Sequence, residues 1–343
     1  MAFYDNLTLE KGMYGADGQA FTKTLEALDP SAAYKGTELE HLDAFERQLK
    51  RFNIRVKGRG SDCVEKFFQS SQSAALFPEY VRRSVGQGAK TADMLGDLIA
   101  AHTKIDAMDY RPLTSVVSTE GAEEGAEGPS LVQVGEGAEI PATEIKMQKN
   151  LVKLHKTGRM LVSSYEAIRF ERLDLFTVTL RQIGAMIAKS QLKHAVDVLI
   201  NGDGNDNAAE TVNVTTAGSV TYADLIQLWS KFEDFEMNRM VVSPDVMQKL
   251  LAIEELKNPV TGLNFQATGR LSTPLGAALY RASSVPAGKL IALDKNCALE
   301  MVTAADISIE YDKLIDRQLE RAAITSIAGF AKIFKEASVV LNV

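Results

Sequence analysis

Cysteine, tryptophan and long apolar runs are scarce in this sequence. It has two cysteines, Cys63 and Cys297, and one tryptophan among 343 residues. A single disulfide would use both cysteines, but two free thiols in a reducing compartment are the favoured interpretation. No apolar run reaches the roughly 18 residues that a membrane span needs. The N-terminal run MAFYDNLTLEKGMYG lacks the cationic and apolar regions of a signal peptide. These absences predict a protein that is cytoplasmic at synthesis.

An excess of positive charge is also absent. The formal net charge is −7 and the pI is about 5.3. Because tight nucleic-acid binders are normally basic, contact with DNA over a large surface is disfavoured. Apolar residues make up 45% of the chain and charged residues 24%, so the chain as a whole is predicted to be globular. Its length is enough for two or three sub-domains.

Signatures of catalysis, cofactor binding and metal binding are missing as well. GQGAKT at 86–91 lacks the glycine that a P-loop places before its lysine, and GEGAEI at 135–140 lacks the third glycine of a dinucleotide fingerprint. DGNDN at 203–207 continues with alanine where an EF-hand needs glycine, so a turn is the better interpretation. No metal-ligand spacing links the four histidines, which are His41, His102, His155 and His194. The sequence therefore predicts no catalytic residues, no cofactor and no metal, and a protein that is not an enzyme.

The first 75 residues predict an arm that contains a helix. Residues 1–35 are polar and mixed, which favours an extended segment. Thr37 and Glu40 have the spacing of a capping box, and leucines and phenylalanines then recur at three- and four-residue steps as far as Phe52. A helix is therefore expected from residue 37 to residue 52.

A basic run overlaps the end of this predicted helix. No acidic residue lies between 47 and 61, whereas six basic residues do: Arg47, Lys50, Arg51, Arg55, Lys57 and Arg59. A solvated face is the simpler interpretation. The alternative is a surface that faces an acidic partner.

The most unusual composition lies at 119–139, a tract with six glutamates, five glycines and no basic residue. The return limb, 140–162, alternates polar and apolar residues and carries four lysines, Lys146, Lys149, Lys153 and Lys156. Together they predict a long hairpin with one acidic and one basic limb. Because a two-stranded ribbon is marginal alone in water, this one needs a surface to lie on, such as a neighbouring subunit. An edge hairpin charged for solubility is the alternative.

The segments on either side of this hairpin predict further helices. Pro78 suits the first turn of a helix, 93–101 has the pattern of a second, and a strand follows near 110–118. After the hairpin, 173–200 predicts a helix about 42 Å long with apolar residues along one face.

The C-terminal part alternates helices and strands. Thr221 and Asp224 give a second capping-box signature for a helix over 222–236, whose Trp229 is expected in the core. RMVVS predicts a buried strand, and the proline of the Ser-Pro that follows it predicts a helix to about residue 256. A polar loop at 257–273 precedes a tail, 275–343, that predicts mostly strands.

This order of elements resembles the major capsid proteins of tailed bacteriophages, the Hong Kong 97-type fold. Three runs carry the resemblance: KLHKTGRMLVSSYEAIRFERLDLF, then TYADLIQLWSKFEDF with RMVVSPDVMQKLLAI, and finally KLIALDKNCALEMVTAADISIEYD. They look like the join between an extended loop and a spine helix, the start of an axial domain, and the return into a peripheral domain. The likeness covers about 76–343.

The resemblance implies an α+β fold with a peripheral domain that contains the long spine helix, an axial domain, an extended β-hairpin loop and an N-terminal arm. The implied boundaries are 1–75 for the N-terminal arm with a helix, 76–118 for the start of the peripheral domain, 119–162 for the extended loop, 163–220 for the spine helix and peripheral domain, 221–300 for the axial domain, and 301–343 for the return into axial and peripheral strands.

The resemblance also implies a function: a structural major capsid protein that self-assembles into pentamers and hexamers of an icosahedral shell around double-stranded phage DNA. A portal protein, scaffold or decoration proteins, and DNA held without sequence-specific contact are the expected partners, with no membrane. Assembly is expected in the host bacterial cytoplasm and the final location is the virion. The basic run would then face the packaged DNA or a neighbour's acidic loop.

Interface candidates are expected on the extended loop: Glu123, Glu124, Glu127, Lys146, Lys149, Lys153 and Lys156. Some family members join neighbouring subunits by an isopeptide bond, but no asparagine or glutamate here matches that motif, so crosslinking is not predicted. An encapsulin-like nanocompartment, or the shell of a gene-transfer agent or phage satellite, is the alternative with the same fold. A soluble mixed α/β enzyme is the alternative from another class.

Overall fold

The computed structural model describes residues 4–14, 20–117, 143–257, 275–314 and 318–343. Within these ranges the α-helices are α1 (Ala20–Leu28), α2 (Ala44–Arg51), α3 (Ser71–Ala74), α4 (Phe77–Ala92), α5 (Tyr165–Phe170), α6 (Leu173–Asn201), α7 (Tyr222–Trp229), α8 (Pro244–Ala252) and α9 (Glu254–Lys257).

The strands in the same ranges are β1 (Ala101–Lys104), β2 (Asp109–Tyr110), β3 (Leu113–Val117), β4 (Thr143–Met147), β5 (Val152–Lys153), β6 (His155–Ser164), β7 (Glu210–Asn213), β8 (Arg239–Val242), β9 (Ala278–Arg281), β10 (Lys289–Leu293), β11 (Leu299–Leu314), β12 (Leu319–Lys332) and β13 (Ser338–Asn342). Helices and sheets are mixed along the chain, which confirms the α+β class.

The chain divides into two compact units. Unit 1 comprises Met1–Met94, His155–Gln191 and Ala305–Ala328, and unit 2 comprises Leu95–Leu154, Leu192–Ala304 and Gly329–Val343. Each unit is therefore assembled from separate stretches of chain.

The N-terminal part of unit 1 is folded, so the prediction of an extended segment over 1–35 is wrong. Phe21 and Leu25 on α1 are fully buried in the main apolar cluster of this unit. A segment of polar average composition can still form a packed helix, because only the residues on one face of the helix have to be apolar.

The second helix begins later than its capping signature predicted. Its N-cap is Asp43, whose side chain accepts from the backbone N–H of Glu46, while the Glu46 carboxylate accepts from the N–H of Asp43. Thr37 instead donates its hydroxyl to the carbonyl of Tyr34 at 2.7 Å, in a turn. The sequence holds two capping-box patterns here, and the structure uses the second, at Asp43 and Glu46.

Two glycines allow α4 and the first part of α6 to pack in backbone contact within unit 1. A Cβ atom on Gly88 would overlap the carbonyl of Arg181, and one on Gly184 would overlap the carbonyl of Val85. The helix start at Pro78 is confirmed, since α4 carries a proline in its first turn. The apolar stripe predicted for the long helix is buried here, including Leu173 and Leu180.

The sheet of unit 1 contains β6, which pairs antiparallel with β12 from Ser164↔Leu319 to His155↔Ala328. Residues 155–162, predicted as the end of the extended loop, lie on this ten-residue strand.

Unit 2 is built on a five-stranded sheet in the order β7-β13-β10-β8-β9. The inner strands are apolar on both faces, and Met240, Val241, Ile291 and Val340 are fully buried. The strand predicted at RMVVS is therefore confirmed, and so is the strand-rich C-terminal tail.

Helices α7 and α8 of unit 2 begin at the residues that the sequence predicts and end earlier than predicted. Thr221 and Asp224 form the expected capping box of α7, but the helix ends at Trp229. The Trp229 side chain is 50% exposed, so its predicted core position is wrong. Leu225 and Leu228 occupy the buried face of the helix instead. α8 begins at Pro244 as predicted and breaks at Ile253.

The helix predicted over 93–101 is also wrong. A short 3-10 turn at Leu95–Asp97 is followed by β1, which pairs parallel with β11 from Ala101↔Glu300 to Lys104↔Thr303. Pairing between residues about two hundred positions apart is invisible to a local pattern.

The spine helix α6 matches its predicted range to within one residue and ends where Gly202 adopts φ +82. The turn predicted at 203–207 is present, since the Asp203 carboxylate accepts from the N–H of Asn205 at 3.2 Å. The polar loop predicted at 257–273 lies almost entirely outside the described residues.

Candidate assembly surfaces

The base of the predicted long hairpin is present in unit 2. β3 and β4 pair antiparallel from Leu113↔Met147 to Val117↔Thr143. Leu113 and Met147 stand opposite each other and are 54% and 66% exposed. Glu123, Glu124 and Glu127 lie outside the described residues, between these strands. An exposed apolar pair on a two-stranded ribbon has no core to join, which favours a covering partner.

The four lysines of the return limb lie on different elements of the structure. Lys146 lies on β4, where its backbone is opposite Thr114. Lys149 follows that strand and is exposed, Lys153 is exposed on β5, and Lys156 is exposed on β6. The residues of this limb are therefore divided among three strands, which a pattern of alternating residues could not reveal.

Arg47 does not belong to a basic surface, and that part of the prediction is wrong. Its side chain is fully buried, and its Nε donates to the Asp29 Oδ2 at 2.7 Å. Its Nη2 donates to the Asp29 carbonyl at 2.6 Å, and the guanidinium lies 4.1 Å from the ring centroid of Tyr34. A buried charge needs such partners, so Arg47 links α2 to the end of α1.

Of the other five residues in the basic run, one binds the backbone of the N-terminal segment and four are exposed. Arg51 donates to the carbonyl of Leu7 at 2.6 Å and is half-buried. Four side chains are exposed, those of Lys50, Arg55, Lys57 and Arg59.

Unit 1 carries apolar side chains that are more than half exposed. Phe170 at the end of α5 is 75% exposed, and Leu175 and Val178 on α6 are 66% and 58% exposed. Met160 and Val162 on β6 are 53% and 51% exposed. Sequence reasoning missed these residues, although Leu175 and Val178 stand at helical spacing outside the buried stripe. That second apolar stripe was the available signal, because a solvent-facing helix normally has one.

A buried carboxylate organises α4 in the same unit. Glu79 is fully buried and accepts from Arg82 Nη2 at 2.7 Å and from Arg83 Nε at 2.8 Å. Burial alone would raise its pKa, but hydrogen bonds from Arg82, Thr22 and Arg83 lower it below its ordinary value. The carboxylate therefore stays charged and holds both guanidinium groups on one side of the helix.

Unit 2 buries its charges differently. Asp224 is fully buried, and its pKa is lowered to about 2 because hydrogen bonds from Thr221 and Thr215 outweigh the effect of burial. Lys332 is also fully buried, and burial lowers its pKa to about 8. Its Nζ lies 3.5 Å from the carbonyl of Leu199 near the C-terminal end of α6.

The described part of the chain holds no group of three or more His, Cys, Asp and Glu side chains that would bind a metal. In the same ranges, no helix combines the length and apolar character needed to cross a membrane. Both cysteines are free and half-buried.

Residues 148–317, which include β5, β6, the whole of α6 and most of unit 2, match the family model described as phage capsid protein. The chain belongs to the phage capsid protein family. The capsid protein gives no match to any curated protein sequence.

Solved structures extend the likeness in fold beyond the family match. The capsid of a native GTA particle matches over 74% of this chain and 90% of its own, with a TM-score of 0.53 and 15% identity. The SrpI encapsulin of Synechococcus elongatus PCC 7942 matches over 72% of this chain and 86% of its own, with a TM-score of 0.52 and 15% identity. The capsid of cyanophage P-SCSP1u matches over 73% of this chain and 88% of its own, with a TM-score of 0.50 and 12% identity. The capsid protein thus has the Hong Kong 97-type fold. The family match identifies it as a structural shell protein.

Proposed function

We propose that this capsid protein is the major subunit of an icosahedral shell, assembling into pentamers and hexamers that enclose double-stranded DNA. The observation that carries the proposal is a pair of exposed apolar side chains in unit 1, Leu175 and Val178, which lie one turn apart on α6. Neighbouring apolar side chains exposed to this degree mark interaction surfaces, because leaving them in water costs free energy in every copy of the chain.

The extended hairpin supplies the second kind of contact in this proposal. Glutamates 123, 124 and 127 on one limb and lysines 146, 149, 153 and 156 on the other would pair with complementary charges of a neighbouring subunit. Each exposed pair contributes about 0.2–1 kcal/mol, but a shell repeats it in every subunit. The exposed Leu113 and Met147 at the hairpin base support burial against a neighbour.

The partners follow from the same proposal. A portal protein and scaffold or decoration proteins would complete the shell in the host bacterial cytoplasm, and the final location is the virion. DNA would be enclosed without sequence-specific contact, because the net charge of −7 leaves only local basic surface such as Lys50, Arg55 and Arg59. The role is mechanical, with no catalytic step and no membrane.

An encapsulin-like compartment is the second candidate, favoured by the fold shared with the SrpI encapsulin. A gene-transfer-agent or satellite shell is a third variant of the same architecture, favoured by the fold shared with the GTA capsid. The contents of the particle separate these candidates, since the first encloses protein cargo and the others enclose DNA.

The test is size-exclusion chromatography followed by negative-stain electron microscopy of the full chain expressed alone. Closed shells, or rings of five and six, support the proposal. A uniform dimer or tetramer with no larger species would overturn it. The double variant Leu175→Ser with Val178→Ser should abolish the large species while circular dichroism stays unchanged. Lys23→Ser with Lys35→Ser is the control, because Lys23 and Lys35 lie in the same unit at exposed polar positions. This control should leave the large species in place.

A further inference from the structure

A cleft of about 530 Å³ opens in unit 1 between α2, α4 and the first part of α6. Its volume lies within the range of about 300–1,000 Å³ typical of pockets that hold a ligand. Phe45, Leu49 and Tyr80 line it but are only 3%, 6% and 4% exposed, so little of their apolar surface is available to a ligand. Five basic side chains also line the cleft: Lys57, Arg82, Arg83, Lys90 and Arg181.

Two of the five cations are neutralised within the chain. Arg82 and Arg83 donate to the buried carboxylate of Glu79 at 2.7 and 2.8 Å. Arg83 also forms an ion pair with Asp43. Two guanidinium groups thus face two carboxylates, and this set of side chains adds no surplus charge to the cleft.

The other three cations, Lys57, Lys90 and Arg181, form no ion pair with any described residue. Arg181 donates from Nη2 to the side chain of Gln87 at 2.8 Å, and its Nε is buried without a hydrogen-bond partner. The carboxylate of Glu46 also lines the cleft, so three cations stand against one anion. The surplus positive charge attracts an anionic ligand.

Gly86 leaves a gap in the cationic face of α4. Arg82, Gly86 and Lys90 are four residues apart, so they lie on one face of the helix at steps of about 6 Å. A Cβ atom on Gly86 would meet no described atom within 4 Å outside its own stretch of helix, whereas one on Gly88 would overlap the carbonyl of Arg181. Glycine destabilises a helix interior relative to alanine, and packing gives no reason for it at position 86. The gap lets a compact anion reach the helix surface between two cations.

We propose that this cleft binds phosphate groups of the double-stranded DNA inside the shell, an inference that rests on the proposed shell function. Phosphate is compact, and guanidinium and ammonium groups are its usual partners in proteins. Lys57 also belongs to the acid-free basic run, whose members Lys50, Arg55 and Arg59 are exposed in the same unit. A long polyanion can engage the cleft and this run together, releasing counterions at each contact.

An acidic protein segment is a poorer occupant of the cleft. Protein partners bind mainly through apolar or aromatic anchors that fill pockets, and Phe45, Leu49 and Tyr80 offer almost no surface to such anchors. A phosphate backbone needs only cations and hydrogen-bond donors. The carboxylates of Asp93 and Asp306 line a smaller adjoining cleft and should repel DNA there, which confines the contact to the larger cleft.

Titration of a short fluorescent DNA duplex of random sequence with the full chain tests the site, at protein concentrations below those that give large species. Lys57→Gln with Lys90→Gln should weaken binding roughly tenfold and lower the steepness of log affinity against log salt by about 2. The control Lys23→Gln with Lys35→Gln removes the same charge at exposed positions of unit 1 and should change neither quantity. Equal effects of the two double variants, or no effect of either, would overturn this inference and leave the shell function intact.

A second variant separates DNA binding from folding. Gly86→Gln fills the gap between Arg82 and Lys90 without changing the net charge. It should weaken duplex binding several-fold while the Tm stays the same or rises, because glutamine is a better helix former than glycine and finds open space here. Unweakened binding by this variant would show that the gap receives no phosphate and would also overturn the inference.

Two further measurements identify the ligand. Inorganic tripolyphosphate, at the same phosphate concentration as the duplex, should displace the duplex only weakly. Complete displacement would assign the cleft to a small free phosphate compound and overturn DNA as its ligand. A Lys57→Gln, Lys90→Gln protein that binds the duplex normally but gives no large species on size-exclusion chromatography would assign the cleft to an acidic protein segment instead. Lack of large species in the unsubstituted chain overturns the shell function itself, whatever the duplex titration gives.

Discussion

The two units bury charge in opposite ways. Unit 1 buries complete ion pairs, Arg47 with Asp29 and Glu79 with Arg82 and Arg83. Unit 2 buries charges that form no ion pair among the described residues, with Asp224 held by hydroxyl and N–H donors and Lys332 beside the carbonyl of Leu199. A buried ion pair keeps both of its groups charged at any ordinary pH, whereas a buried charge with a strongly shifted pKa makes stability depend on pH. The two units should therefore respond differently to substitution and to titration.

The largest effect is expected at Arg47. Arg47→Ala leaves Asp29 charged and buried without its partner, which should lower the free energy of unfolding by about 3–5 kcal/mol. Denaturant unfolding measures the change. Arg55→Ala removes an exposed arginine from the same basic run and should change stability by less than about 0.5 kcal/mol. Equal effects of the two substitutions would break the distinction between buried and exposed members of the run.

The next largest effect is expected at Lys332, where folding stability should increase as the pH rises. Its pKa in the folded protein is about 8, below the value near 10.5 of an unfolded lysine, so the folded state gives up its proton first. Stability should therefore rise as pH increases from about 8 to 10.5, by about 3 kcal/mol.

Lys332→Met removes the titrating group and should abolish this rise. Thermal or chemical unfolding between pH 7 and 10.5 measures it, with exposed Lys335→Met as the control. A Lys332→Met protein whose stability still climbs over this window would show that another group is responsible.

Asp224 should give a smaller, acid-side effect. Its folded pKa of about 2 lies below the ordinary value near 4, so its contribution is complete above pH 4 and is lost as pH falls toward 2. Asp224→Asn should cost about 2 kcal/mol at pH 7 and less at pH 2. Unfolding curves at the two pH values decide this, and a cost independent of pH would mean that shape rather than charge matters here.

The smallest effect is expected for the exposed pair of Arg321 and Asp312 in unit 1, whose atoms lie 2.6 Å apart. Both side chains are more than a third exposed, so solvent and salt screen the attraction. Arg321→Ala should cost at most about 1 kcal/mol, and the cost should vanish in 1 M salt. A larger loss of stability that does not depend on salt would mean that this pair contributes as much as the buried pairs do.

The spine helix and the α7 capping box were predictable because their signals are local. The stripe that includes Leu173 and Leu180 has helical spacing, and Thr221 with Asp224 has the spacing of a reciprocal cap. The order of elements allowed the resemblance in fold to be seen without any single specific motif.

Burial was much harder to predict than secondary structure. Arg47 has the same residue type and neighbourhood as exposed Arg55, and its partner Asp29 lies on a segment interpreted as an arm. Trp229 was expected inside because it is large and apolar, yet Leu225 and Leu228 take the buried face of α7. Such outcomes depend on packing between distant segments, which local patterns do not contain.

The most direct test of the central claim is a cryo-electron microscopy reconstruction of particles formed by the full chain expressed alone. The account predicts a closed icosahedral shell with subunits in rings of five and six, and the apolar surface of Leu175 and Val178 on α6 covered by a neighbouring copy. Particles that close without such rings, or rings that leave this apolar surface in solvent, would contradict it.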